Sequence, residues 1–144
     1  MIQADTQRYR LTLTVAVLSL GILWAFVIQK HAVTPAFNIR EVSLAEAKSL
    51  IDSGALVVDV RDQGKYDFRH IPGAVLVPVD TLRVSIPASV GADKTRNILV
   101  YCNEGIAHGP EAAHLLNEAG FSKAVNLRSG IEGWANAGFP VVKK

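Results

Sequence analysis

The sequence predicts a parallel α/β domain preceded by one transmembrane helix. Beyond about Asn38, short apolar runs alternate with helical patterns, the order of β-α-β units that build a parallel sheet. Two of those runs, Ala55 to Val60 and Asn97 to Tyr101, are apolar almost throughout, as strands buried on both faces of a parallel sheet are. Upstream, Leu11 to Ile28 reads LTLTVAVLSLGILWAFVI and contains no charge.

As a helix, that segment spans about 27 Å at ~1.5 Å per residue, close to a bilayer's hydrocarbon core. Tyr9 and Trp24 lie toward its two ends, and Arg8, Arg10 and Lys30 bracket it. A cleaved signal peptide is the competing reading, since two arginines precede the apolar stretch. The stretch is longer than a usual signal core, and Ala32-Val33-Thr34-Pro35-Ala36 offers no clean small-x-small cleavage site. The expected organisation is an N-terminal flank (1–10), a transmembrane helix (11–28), a tether (29–37) and a domain (38–144). Arg8 and Arg10 against Lys30 place the amino terminus inside and the domain on the outer, periplasmic side of a bacterial inner membrane, a bias that Arg40 and Lys48 weaken.

Within the domain, Ser43-Leu44-Ala45-Glu46 is a capping box. It opens a helix with Leu44, Ala47, Leu50 and Ile51 on one face and Gly54 as its stop. Ala55 to Val60 is the next strand, with Asp59, Arg61 and Asp62 at its carboxyl end. Ala74 to Val77 forms a third, ended by Pro78, and Asp80 can cap a short helix through Val84. After Asn97 to Tyr101 comes Cys102, then a helix with Pro110 at its first position, Glu111 in its first turn and Gly120 at its end. Lys123 to Leu127 is the last strand, and a terminal helix covers Ile131 to Ala137. The roughly 105 residues involved can bury something over ~60% of their unfolded surface, enough for one core.

Composition excludes several classes. A formal net charge of +2 in 144 residues, without a basic stripe or interleaved aromatics, gives no sign of nucleic-acid binding. One cysteine and four scattered histidines, His31, His70, His108 and His114, do not approach zinc-ligand spacing, so no metal and no cofactor is implied. His114 is expected in solvent, and Trp134 in the core.

The single cysteine, Cys102, stands where ligands gather in open parallel sheets, beyond the carboxyl end of a buried strand and before a helix start. Helix N-terminus and loop amides there favour a thiolate nucleophile, and Gly105 lets the loop turn tightly. The alternative is a buried small hydrophobe, a common fate of a free cysteine.

Taken together, Asp59-Val60-Arg61, Tyr66, His70-Ile71-Pro72-Gly73-Ala74, the strand ending in Cys102 with Gly105 three residues on, Gly130-Ile131-Glu132-Gly133-Trp134 and Gly138-Phe139-Pro140-Val141 resemble a single-domain rhodanese from Asn38 to Val142. The resemblance implies a rhodanese-like five-stranded parallel sheet flanked by helices and a cysteine that carries sulfur as a persulfide. It also implies a small sulfur-containing anion or persulfide as donor, and a thiol or cyanide as acceptor. The substrate loop is then Asn103, Glu104, Gly105, Ile106, Ala107 and His108, with Asp59 and Arg61 orienting it from behind.

The loop departs from the family's pattern. Such loops often carry an arginine five residues after the cysteine, where this chain has Ala107. Glu104, if it points inward, opposes a thiolate about 6 Å away by roughly 2 to 3 kcal/mol at an effective dielectric near 20. If it points to solvent, the cost mostly vanishes. His108 serves either as a compensating cation or proton donor, or as a plain capping or surface residue. A phosphatase reading fails because imidazole at position 108 cannot form the bidentate fork of an arginine on phosphate. A rival to the enzyme reading is a weakly active binding or regulatory module that docks on a membrane protein partner.

Overall fold

The computed structural model describes residues 37–144, of which Phe37–Lys144 form one compact unit. The expected transmembrane helix at 11–28 lies outside the described residues. Among those described, no helix is long and apolar enough to cross a membrane.

Five strands form one sheet: β1 (Glu41–Val42), β2 (Leu56–Asp59), β3 (Val75–Leu76), β4 (Ile98–Tyr101) and β5 (Ala124–Leu127). Their order is β1-β5-β4-β2-β3, every neighbouring pair parallel. β4 lies at the centre, with Val58 opposite Val100 on one side and Leu99 opposite Val125 on the other. All residues of β2, β4 and β5 are buried, which is why these runs lack polar alternation.

Successive residues of each strand feed opposite cores. Val58, Ile98, Val100, Cys102 and Ala124 face one layer with Leu82, Ala112, Ala113 and Leu116. Val57, Leu99, Tyr101, Val125 and Leu127 face the other, with Ala47, Ile131 and Trp134. The first layer therefore contains α3 (Val79–Val84) and α4 (His108–Glu118), and the second contains α1 (Leu44–Asp52) and α5 (Gly130–Asn136). A short helix, α2 (Gln63–Phe68), and a 3-10 turn at Ala88–Val90 complete the order.

Local signals explain where the elements begin and end. The Ser43 hydroxyl accepts from the Glu46 backbone amide while the Glu46 carboxylate accepts from the Ser43 amide, the reciprocal box expected for α1. Gly54 and Gly120 end their helices at positive φ. α2, which the short polar stretch Gln63–Phe68 does not announce, is capped by Asp62 accepting from the Lys65 amide at 2.9 Å.

Three expectations require correction. Asp80 does not cap α3: Pro78 occupies that position without a side-chain bond, and Asp80 lies inside the first turn paired with Arg83. α4 begins at His108, so Pro110 is its third residue, still within the turn where a missing N–H is harmless. The third strand is shorter than Ala74–Val77, because only Val75 and Leu76 pair with β2. β1 was not foreseen: two residues, aligned with Asn126 and Leu127, suffice to cover the β5 edge.

Candidate functional site

Parallel pairing brings the carboxyl ends of β2, β4 and β5 to one edge, and the chain segments that follow them build the site. Cys102 directly follows β4, shares the inward parity of Val100 and is 6% exposed. Beyond it, Asn103 to Ala107 form a loop that wraps its sulfur before α4 begins.

Four groups hold that loop from outside. Ile131 and Glu132, in the first turn of α5, donate their backbone N–H groups to the carbonyls of Cys102 and Asn103, each at 3.0 Å. Asn126 Nδ2 donates to the Gly105 carbonyl at 2.8 Å, and Arg61 Nη1 donates to Asn103 Oδ1 at 3.2 Å. With these acceptors drawn outward, the Gly105 N–H turns inward and donates to Cys102 Sγ at 3.2 Å. Gly105 is indispensable there: its φ is +78°, and a Cβ would stand 2.3 Å from the Arg128 carbonyl oxygen.

Asp59 and Arg61 form a buried ion pair behind the loop. Arg61 Nη2 donates to Asp59 Oδ2 at 2.6 Å and Nε to Asp59 Oδ1 at 2.9 Å, while Nη2 also reaches the Arg69 carbonyl at 2.6 Å. Burial works against the guanidinium's charge, but the Asp59 carboxylate outweighs it by hydrogen bond and attraction, holding Arg61 above its ordinary value. Burial first, and then the same carboxylate, push the Tyr101 hydroxyl far above its ordinary range. Tyr101 therefore stays neutral, and its oxygen accepts from the Ile71 amide at 3.1 Å.

In front of Cys102 lies a cavity of about 360 Å³. Val60, Pro78, Val79, Ile106 and Ala107 supply apolar wall, and Arg61, Asp62, Lys65, Asp80, Glu104 and His108 the charged or titratable groups. Cys102, Asn103, Glu104, Ile106, Ala107 and His108, all expected at the site, line it together. Gly105 meets the sulfur from the side instead.

The charges facing this cavity nearly cancel. Arg61 is matched by Asp59, Lys65 by Asp62 at 2.8 Å, and Asp80 by Arg83. Glu104 is exposed and has no ion-pair partner among the described residues, and His108, also exposed, is the first residue of α4. Among the described residues the cationic side chains that line the cavity, Arg61 and Lys65, are thus both paired with carboxylates, and Ala107 is exposed.

Reading by sequence alone missed Lys65, Pro78, Val79 and Asp80, which reach the cavity from α2 and α3. It also missed Asn126 and Gly109. The signal for Asn126 was present, as an amide inside the otherwise apolar run Ala124-Val125-Asn126-Leu127. Gly109 packs so close that a Cβ would lie 2.2 Å from Asn126 Oδ1 and 3.4 Å from Cys102 Sγ.

Other singled-out residues lie away from the sulfur. His70 stacks on Tyr66 at 3.8 Å, and its Nδ1 is 2.9 Å from the Tyr66 carbonyl, steadying the turn before Pro72. Trp134 is buried and donates to the Pro140 carbonyl. His114 is not in free solvent: it is half-buried and stacked on Phe37 at 5.0 Å.

Comparison with known proteins agrees with this geometry. The model of the rhodanese-like domain matches residues 43–137. Thiosulfate sulfurtransferase GlpE of Coxiella burnetii is 36% identical over 96 residues, covering 66% of this chain and 86% of its own length. The tRNA uridine(34) hydroxylase of Hamiltonella defensa is 32% identical over 108 residues, which cover 72% of this chain but only 30% of the hydroxylase. Human single-domain sulfurtransferase TSTD1 superposes with a TM-score of 0.60 at 28% identity, covering 67% of this chain and 95% of that one.

Proposed function

The chain belongs to the rhodanese-like domain family, and on that premise we propose that it is a sulfurtransferase in which Cys102 carries sulfane sulfur as a persulfide. The observation that carries this reading is the Gly105 N–H directed at Cys102 Sγ at 3.2 Å, at the floor of a cavity large enough for a small donor.

In the first half-reaction the Cys102 thiolate attacks the outer sulfur of the donor. The donor's S–S bond breaks and its pair leaves with the remainder, sulfite from thiosulfate or a thiolate from an organic persulfide. In the second, an acceptor thiolate or cyanide attacks the outer sulfur of the Cys102 persulfide. A new persulfide or thiocyanate leaves, and the Cys102 thiolate returns. Splitting the transfer in two lets one small site serve unlike donors and acceptors. The Gly105 amide faces negative charge on sulfur in both halves without reorganising.

The near-balanced charges and the apolar wall favour an organic persulfide as donor over thiosulfate. The uncharged run Leu11–Ile28 supports a membrane tether, with the domain on the periplasmic side. Ile106, 65% exposed on the loop, favours a second reading in which a membrane protein partner docks over the cavity as the source or recipient of sulfur.

Steady-state transfer to cyanide from thiosulfate and from a low-molecular-weight alkyl persulfide tests the donor. The expected result is a higher kcat/KM with the persulfide. A preference for thiosulfate overturns the donor assignment, and turnover with neither overturns the enzyme reading in favour of the docking module.

A further inference from the structure

Asn126 is completely buried within β5, on the strand face that meets α4. A polar side chain in such a place is retained only when its hydrogen bonds matter. Its Nδ2 donates to two acceptors, the Gly105 carbonyl at 2.8 Å and Glu41 Oε1 at 3.2 Å. Those acceptors dictate which way the amide faces, because turning Oδ1 toward a carbonyl and a carboxylate sets oxygen against oxygen. Oδ1 is therefore directed to the first turn of α4, where it finds no hydrogen-bond partner among the described residues.

Glu41 is itself held by Arg128, whose Nε lies 3.3 Å from Glu41 Oε2. A continuous chain of contacts thus runs Arg128–Glu41–Asn126–Gly105–Cys102. The two hydrogen bonds of Gly105 act on the peptide groups either side of its Cα: the N–H goes to sulfur and the C=O to Asn126. Holding the second anchors Gly105 and so restrains the first.

We propose that Asn126 is a positioning residue for sulfur transfer, which aims the Gly105 amide at Cys102 and so stabilises the thiolate and the persulfide anion. This rests on Cys102 as the sulfur carrier, but its test does not require turnover. The other charged or titratable groups that line the cavity with Cys102 are Arg61 beyond β2, Asp62 and Lys65 at α2, Asp80 on α3, Glu104 on the loop and His108 on α4, and none of them is altered by the substitutions at Asn126.

The experiment is the pH dependence of Cys102 alkylation by iodoacetamide in the full chain, for the native protein, Asn126→Ala and Asn126→Asp. Alanine removes both the donor to Gly105 and the unpartnered oxygen, whereas aspartate keeps that oxygen and adds a carboxyl beside Glu41, so alanine is the deciding variant. Both are expected to raise the titration midpoint by about one pH unit, a tenfold loss of thiolate below the midpoint, and to lower kcat about tenfold with little change in KM. An unchanged or lowered midpoint in Asn126→Ala overturns the proposal. Should both variants fail to fold, the native protein decides by NMR: the Asn126 side-chain amide protons and the Gly105 amide are expected to titrate with the midpoint of Cys102. Asn126 signals indifferent to that ionisation overturn it equally. Failure of sulfur loading with these titrations intact indicts the assigned reaction and not the positioning.

Discussion

Arg61 Nη1 reaches across from the end of β2 to donate to Asn103 Oδ1 at 3.2 Å, the residue immediately after Cys102. Because the same guanidinium is locked by Asp59 and donates to the Arg69 carbonyl, the loop that follows β4 is tied to the end of β2 and to the segment after α2 at once. A buried pair of this kind contributes little compared with an apolar substitute, but breaking it leaves an uncompensated charge.

Asp59→Asn is accordingly expected to destabilise the domain by about 3 kcal/mol or more, the cost of leaving one buried partner unpaired. Arg61→Lys should also weaken it, since an ammonium cannot reproduce three separate directions of donation. Urea denaturation measures both, and a loss under about 1 kcal/mol in each speaks against the pair's role.

Gly109→Ala places a methyl group 2.2 Å from Asn126 Oδ1, deep in the packed contact between α4 and β5. Overpacking of this order costs about 1 to 3 kcal/mol, and here it displaces the Asn126 amide and the sulfur together. Sulfur transfer should fall at least tenfold. Gly64→Ala, in α2 with its nearest neighbour at 3.4 Å, is the control and should leave stability equal or slightly raised. Thermal melts and transfer rates on both variants distinguish a specific contact from general intolerance.

Charge at the mouth should set donor preference. Ala107→Arg and Glu104→Gln each shift the local potential toward positive by one charge, worth roughly 1 kcal/mol for an exposed group. Thiosulfate kcat/KM is expected to rise about fivefold, with a smaller change for an alkyl persulfide. Thiosulfate rates unchanged from the native protein in both variants contradict the electrostatic account of the loop.

Glu111, in the first turn of α4, is held to α3 by Arg83 through Nε and Nη2, each at 2.7 Å. Hydrogen bonding to Arg83 is the main reason its carboxyl lies below the ordinary value, against an opposing burial effect. With the folded value depressed, the stabilisation is present above the ordinary carboxylate pKa and is lost as pH falls through the folded one. Because the pair is partly exposed, it should amount to under about 1 kcal/mol. Glu111→Gln should therefore be less stable than the native protein at pH 7, and the difference should shrink as the pH falls below the ordinary carboxylate range, as measured by denaturation across pH.

Much of this site was legible from residue order. The unbroken apolar runs of β2 and β4, ended by Asp59 and Cys102, gave the parallel core and placed both residues on one sheet edge. Ser43 and Glu46 marked α1 by a local rule that tertiary packing had no reason to override. What escaped was set by neighbours distant in sequence. β1 exists only because β5 offers an edge, and α4 starts at His108, not Pro110, because the loop must close around the sulfur. Likewise, the approach of Gly109 to Asn126 joins residues on separate elements, and no spacing along the chain encodes it. Lys65 and Asp80 reach the cavity from helices too short for periodicity to reveal a face.

The central claim is that Cys102 holds transferable sulfur. Intact mass of the full chain after exposure to thiosulfate and to an alkyl persulfide tests it most directly. The account predicts one added sulfur, more complete with the persulfide, removed by cyanide and absent from Cys102→Ser. An unmodified mass with every donor, or an adduct that survives in Cys102→Ser, contradicts it.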